Sequence, residues 1–454
     1  MTSILISILA TLATCTGDGD IQQQSTGSDS INEHRSDSEL AADKEEAGKF
    51  IVLGTGEGEH LVIDGAERHF SCDTLIKIKG GTYAMIDILN LEGREGCPII
   101  IENEGLVDMT GGDKAMRMMD LSHVVVTGNG VPTIDKGFIF GKTRQAAVQL
   151  YGVLNDFKLS YFSFKDMLDG KAIICEHEEE YNGREGSYSN KVTFSHITCD
   201  RVGVLLNGDA GVDGGKVMGM IKNLEIAYVD YRNSPYVGSI VWMSNLEDYN
   251  VHHNTITDVN SSSKLHNGIF VLMGNGKFHN NMVTNHQGNV LRAWGYTVGS
   301  TPKDIQIYNN IVYNSFKYSA FEVQSFDYYI HPGKTTYANA QVFNNTCGKM
   351  NTSQDWVGAV VDVYSLQGGS CDVYNNLAFE LVNAEDVWNQ QADLIPTASH
   401  NLYFNTPQEA GIVDEKEFKL SADSKAKQAG RPAPVTEDFY GHKRAGTPSV
   451  GAVE

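Results

Sequence analysis

Proline is scarce, at 10 of 454 residues, and so is positive charge, with 35 Lys and Arg against 57 Asp and Glu. The formal charge of −22 argues against a nucleic-acid partner, because phosphate binding needs clustered cations. It also opposes a polyanionic substrate unless a local basic patch or a bound cation offsets the field. The seven cysteines include no C-x-x-C pair, which removes a zinc knuckle and a thioredoxin-type centre. A G-x-S-x-G elbow, a P-loop, an H-E-x-x-H helix and a dinucleotide fingerprint are all missing, and their reaction classes go with them. No stretch carries a convincing 3.6-residue period, so a helical solenoid is excluded. With few prolines and 46 glycines, the turns fall to Gly, Asn, Asp and Ser. Hydrophobic residues at 41% supply an interior. The length exceeds one ordinary domain, yet a solenoid holds it in one continuous core.

What is present is a recurring phrase: VHHNTI from 251, FHNNMV from 278, IYNNIV from 307, VFNNTC from 342 and VYNNLA from 373. Superposing these aligns Asn254, Asn281, Asn310, Asn345 and Asn376, and Asn401 of SHNLYF extends the series, at spacings of 27, 29, 35, 31 and 25 residues. Intervals of this size suit one solenoid coil of short strands with loops of variable length. An inward asparagine at a bend must pair its amide, and if every coil places one there the amides bond each other along the axis. Val251, Phe278, Ile307, Val342 and Val373 then form an apolar column, and His252, His279, Tyr308, Phe343 and Tyr374 a second one. Both columns are expected to be structural.

These repeats resemble the right-handed parallel β-helix superfamily of pectate-lyase-like carbohydrate-active proteins. So does the ending, Asp438-Phe439-Tyr440-Gly441-His442-Lys443-Arg444 followed by Ser449-Val450-Gly451-Ala452. The resemblance implies an all-β, right-handed, single-stranded parallel β-helix with an Asn ladder and capped ends, and a polysaccharide or oligosaccharide as partner. It leaves the reaction open, because the superfamily hosts lyases, hydrolases, epimerases and non-enzymes. The helix is expected over residues 49–404 and a C-terminal cap over 405–454, with Asp438 and Arg444 as cap residues. Residues 1–15, MTSILISILATLATC, hold an apolar run too short to span a bilayer and resemble a lipoprotein signal with Cys15 acylated. A plain secretory signal is the alternative. Residues 16–48 are too polar to fold and are expected to be a disordered tether. The chain is therefore expected to be exported, as an outer-membrane or periplasmic lipoprotein or a secreted protein, meeting a membrane only through Cys15. The six other cysteines are expected as buried thiols, with disulfides open after export, and Cys347 and Cys371 as stacked neighbours.

A second set of strands lies between the Asn phrases: GSIVWMSN, GIFVLMGN, NVLRAWGY, SAFEVQSF and AVVDVYSL. Period-2 alternation turns Val241/Met243, Leu291/Ala293, Phe321/Val323 and Val361/Val363 inward. Trp242/Ser244, Arg292/Trp294, Glu322/Gln324 and Asp362/Tyr364 then face outward, while GIFVLMGN is apolar in both phases. Stacking at about 4.8 Å makes Arg292, Glu322 and Asp362 neighbours flanked by aromatics, the composition of a sugar subsite. An ion-paired ladder, with Arg292 merely offsetting Glu322, is the plainer alternative.

Three functions fit this stripe. The first is a polysaccharide lyase cleaving a uronate-containing glycan by β-elimination, with catalysis by Arg292, Glu322, Asp362 and His286, and Ca²⁺ or an acid group neutralising the uronate. The second is a retaining glycoside hydrolase using Glu322 and Asp362. The third is a non-catalytic surface glycan-binding protein. Substrate contacts are expected from Trp242, Trp294, Gln324, Tyr364, His266 and Tyr328, the last in the aromatic loop after Glu322. Asp209 and Asp213 of NGDAGVDGGK are candidate Ca²⁺ ligands, and the run Glu176-His177-Glu178-Glu179-Glu180 reads as a solvated loop.

Overall fold

An inward residue at every second position is what a stack of parallel strands requires, and the chain meets that requirement along most of its length. The computed structural model describes residues 50–454 except 209–210, 214, 263–265, 326–333, 365, 367–368, 383–386 and 391–394. The signal, Cys15, the tether, Asp209 and Tyr328 lie outside the described residues. Among the described residues all regular structure is β, wound as a parallel solenoid of about 11 turns. Strands Val241–His252, Gly268–His279, Asn289–Val298, Phe321–Gln324, Val361–Tyr364 and Val387–Gln390 pair in parallel, each with the next. Their inward columns, Val241-Phe270-Leu291-Phe321-Val361 and Met243-Leu272-Ala293-Val323-Val363, are completely buried. Each large side chain in them contributes about 1.5–3 kcal/mol by leaving water.

The asparagines form the ladder. Nδ2 donates to the next Oδ1 at 2.9 Å for Asn254→Asn281, 3.0 Å for Asn281→Asn310, and 2.9 Å for Asn310→Asn345 and Asn345→Asn376. Asn376→Asn401 closes the series at 3.0 Å. The residue before each rung takes a left-handed backbone: His253, Asn280, Asn309, Asn344, Asn375 and His400 have φ between 51° and 56°. Asn and His tolerate that region better than most side chains, which accounts for the doubled NN of the phrase.

The second column is a stack of rings: His252–His279 at 5.0 Å, His279–Tyr308 at 4.6 Å, Tyr308–Phe343 at 5.1 Å and Phe343–Tyr374 at 5.0 Å. The Arg431 guanidinium closes its end, 3.7 Å from the Tyr374 ring centre.

The segment after 405 runs along the flank of the solenoid. Ala410, Ile412, Phe418, Val450 and Ala452 pack on Ile311 and, two coils further on, Leu377 and Phe379. The left-handed asparagines hold it: Asn280 donates to Phe439 O (3.0 Å), Asn309 to Glu437 O (2.8 Å) and Asn375 to Arg431 O (2.8 Å). Asp438 accepts from the backbone of Tyr440, His442 and Glu454, and Arg444 bonds Asn309 Oδ1 at 2.7 Å.

Cys72 and Cys97 form a disulfide across the first coils, and Cys175, Cys199, Cys347 and Cys371 are buried thiols. Cys347 and Cys371 are not neighbours. Cys347 follows the ladder turn and stacks between Val312 and Ala378, whereas Cys371 precedes that turn and stacks on Ala340. The disulfide closes a 25-residue separation. Reduction, or Cys72→Ala with Cys97→Ala, is expected to cost about 3 kcal/mol, read by urea unfolding and by faster amide exchange in residues 50–100.

Candidate functional site

The register places Arg292, Glu322 and Asp362 on three successive layers of one outward column, and Trp294, Gln324 and Tyr364 on the same layers of the next. Alternation therefore gives the correct side of the sheet. What it does not give is access. Glu322 and Gln324 are fully buried and Asp362 is 2% exposed, although all three face away from the core. Residues outside the stacked strands join the sheet at the end of Asn289–Val298. Strand Thr335–Tyr337 pairs antiparallel with Tyr296–Val298. Beside it, the Asn245 side chain joins the Met218 carbonyl (2.6 Å) to the Tyr296 hydroxyl (2.7 Å). Val271, Met273 and Tyr296 form a separate apolar cluster against which Trp242 and Trp294 pack. The two indoles meet edge to face at 5.9 Å and are partly buried.

Within the column Glu322 joins two donors. Its Oε1 accepts from Arg292 Nε at 2.9 Å, and its Oε2 lies 2.9 Å from His266 Nε2. That nitrogen also meets Asn289 Oδ1 at 3.1 Å. Burial favours the protonated acid, but Arg292 and His266 outweigh it and hold the Glu322 carboxyl below its usual range. An ionised carboxylate this deep would cost several kcal/mol unpaired. Glu322 thus acts as an anchor that fixes the two groups above it. Those groups reach solvent, His266 with 38% of its side chain exposed and Arg292 with 15%. Arg292 donates from Nε, and its guanidinium lies over the Trp294 ring, 5.9 Å from the ring centre.

Three residues near His266 come from turns that strand periodicity does not reach. Tyr318, only 5% exposed, stacks on His266 at 4.2 Å. Trp356, 47% exposed, meets Tyr318 at 5.9 Å. Lys317 Nζ lies 5.3 Å from the Tyr318 ring centre and 5.6 Å from that of Trp356, and pairs with Asp355 at 3.3 Å. Their signal in the sequence was position alone, each in the turn just before a site strand. Tyr364 is partly exposed at the far layer.

Other expected groups sit elsewhere. His286 is 1% exposed in strand Met282–His286, between Val259 and Ser315, and burial pushes its imidazole down to about 4. Asp213 pairs with Lys216 in a two-residue hairpin, and Lys216 Nζ meets Glu180 at 2.8 Å. The expected solvated run at 176–180 is corrected at His177, which is 1% exposed. Its loop folds back through Tyr181 N on Val217 O and Gly219 N on Glu179 O, and that pairing turns the imidazole inward.

No family model and no curated protein matches the chain. Among solved structures, a family PL6 polysaccharide lyase from Pseudopedobacter saltans is similar at 11% identity, over 86% of this chain and 99% of that one, with a TM-score of 0.37. An alginate lyase from a Paenibacillus species is similar at 12% identity over 77% and 99%, with a TM-score of 0.34. The pectate lyase Pel9A is similar at 12% identity over 87% and 96%, with a TM-score of 0.25.

Proposed function

We propose that the chain is a polysaccharide lyase that cleaves a uronate-containing glycan at the opening above Glu322. The observation that carries this reading is the buried Glu322 carboxyl set 2.9 Å from both His266 and Arg292, with Tyr318 stacked on His266. Nε2–H of His266, which bonds Asn289 Oδ1 and lies 2.9 Å from the carboxylate, leaves the lone pair on Nδ1, the form a general base needs. The Arg292 fork suits a substrate carboxylate and supplies the local positive charge that the chain as a whole lacks. His266 Nδ1 takes the C5 proton, the released pair forms the C4–C5 double bond, and the C4–O bond breaks. The departing oxygen leaves with a proton from solvent. Glu322 held ionised and covered is poorly suited to be the acid of a retaining hydrolase, which needs a raised carboxyl that touches substrate.

The test is a panel of uronate glycans followed by ultraviolet absorbance and by reducing ends. Both signals are expected to rise together, with Arg292→Lys lowering kcat/KM about 10²–10³-fold and His266→Ala abolishing turnover. Reducing ends without absorbance would assign hydrolysis, and retention of a glycan with neither would assign binding. With Arg292 neutralising the uronate, EDTA is expected to leave the rate intact; loss of activity would move that role to Ca²⁺. We further propose export on a lipid anchor at Cys15, tested by palmitate labelling of the wild type against Cys15→Ser.

A further inference from the structure

The ladder turn at His253 differs from the next four. Where the next four coils carry asparagine in the left-handed position before the rung, this coil carries His253, directly after His252. The two rings meet nitrogen to nitrogen, with Nδ1 of His252 2.8 Å from Nδ1 of His253. The other nitrogen of His252 faces a carboxylate, Nε2 to Glu225 Oε1 at 3.0 Å, and Glu225 Oε2 accepts from Thr193 at 3.1 Å. A chain of threonine, glutamate and histidine fixes the tautomer, so the Nδ1 lone pair of His252 points at His253. Both rings are clamped in place: His252 stacks on His279 at 5.0 Å, and His253 on Tyr228 at 5.2 Å. His253 is exposed, so solvent ions reach it.

We propose that His252 and His253 chelate a divalent late first-row cation, Ni²⁺, Cu²⁺ or Zn²⁺, through their two Nδ1 atoms. Metal–imidazole bonds of about 2.0–2.1 Å in a right-angled to tetrahedral arrangement hold two nitrogens about 3 Å apart, close to the separation present. Imidazole nitrogen selects these cations over Ca²⁺ and Mg²⁺, and water completes the shell on the exposed side. Glu225 is the outer partner that such histidines use to orient the ring and strengthen it as a ligand. Among the described residues the grouping of three possible ligands is Cys72, Asp73 and Cys97, whose sulfurs are already joined to each other. It does not compete while the protein is oxidised.

The variant that isolates the site is His253→Asn, because asparagine occupies the same left-handed position in the four following coils and keeps the turn. NiCl₂ or ZnCl₂ is titrated into the full chain without reductant, with binding read by calorimetry. The wild type is expected to take up one equivalent, His253→Asn to bind at least about tenfold more weakly, and Glu225→Gln to lose about tenfold. Ni²⁺ is expected to raise the melting temperature of the wild type but not of His253→Asn, whose metal-free melting temperature stays unchanged. Equal binding by wild type and His253→Asn, or no uptake by the wild type, would overturn the assignment and leave an imidazole–imidazole hydrogen bond in its place.

Discussion

Glu322→Gln is expected to fold and to lose about 10²–10³-fold in kcat while KM changes far less. The reasoning starts from burial. A glutamine has the same shape, but its amide brings an N–H to one of the two donors that now converge on the carboxylate, Arg292 Nε and His266 Nε2. One donor then faces another, and the side chain that loses its acceptor turns away. On this reading Glu322 makes no contact with substrate, so the exposed Trp356 still meets the glycan and the loss falls mainly on kcat. A merely structural carboxylate would lower the yield of folded enzyme without separating kcat from KM. Stability falls as well, by about 3–5 kcal/mol, because one member of a buried ionic group is removed and the rest remain. The pH dependence gives an independent check. The folded carboxyl lies below the ordinary 4.5, so its contribution is present above that value and is lost as pH falls through the lower native one. Glutamine does not titrate, and the stability gap between wild type and variant is expected to narrow below about pH 4.5. A gap that stays constant down to acid unfolding, or an unchanged kcat, would remove Glu322 from its role as anchor.

How much of this could be read from the residues depends on which physical rule was asked to carry it. The asparagine ladder was legible because one buried amide per coil is an all-or-nothing requirement, and Asn254, Asn281, Asn310, Asn345, Asn376 and Asn401 stand at the positions that satisfy it. The outward column was legible for the same kind of reason, since alternation of two has only two phases. Period 2 assigns a side and says nothing of cover. Glu322, Gln324 and Asp362 are nonetheless buried, and Thr335–Tyr337 pairs antiparallel with Tyr296–Val298, an addition that no stacking rule predicts. Trp242 and Trp294 illustrate the same limit: rings on an outward face serve as readily in packing as in binding sugar, and alternation does not foresee their cluster with Val271 and Met273. Tyr318, Lys317 and Trp356 lie in turns, where no periodicity applies. Cys347 and Cys371 lie on opposite sides of the bend, which a repeat length alone does not distinguish.

The ladder itself is the target of the second large effect. Asn310→Ala is expected to destabilise the protein by about 4 kcal/mol, against about 1 kcal/mol for Asn401→Ala. Asn310 Oδ1 accepts from Asn281 N and Nδ2, each at 3.0 Å, and its Nδ2 donates to Phe278 O at 3.0 Å and Asn345 Oδ1 at 2.9 Å. Alanine leaves the Asn281 amide and the Phe278 carbonyl without these partners in a place water does not reach, and each orphan costs about 1–3 kcal/mol. Asn401 ends the series and is partly exposed, so water replaces what its removal takes away. Asn310→Asp is expected to be worse than alanine. A carboxylate still accepts from Asn281 but sets an oxygen against Phe278 O and Asn345 Oδ1 and buries a charge with no cation beside it. Urea unfolding followed by tryptophan fluorescence measures all three. A solenoid is held by nearest-neighbour contacts, so a defect in the middle also weakens the coupling between its two halves. The slope of the Asn310→Ala transition is therefore expected to fall below that of the wild type, while Asn401→Ala keeps it. Equal losses at the two positions would mean that the apolar columns, and not the amides, hold successive coils in register.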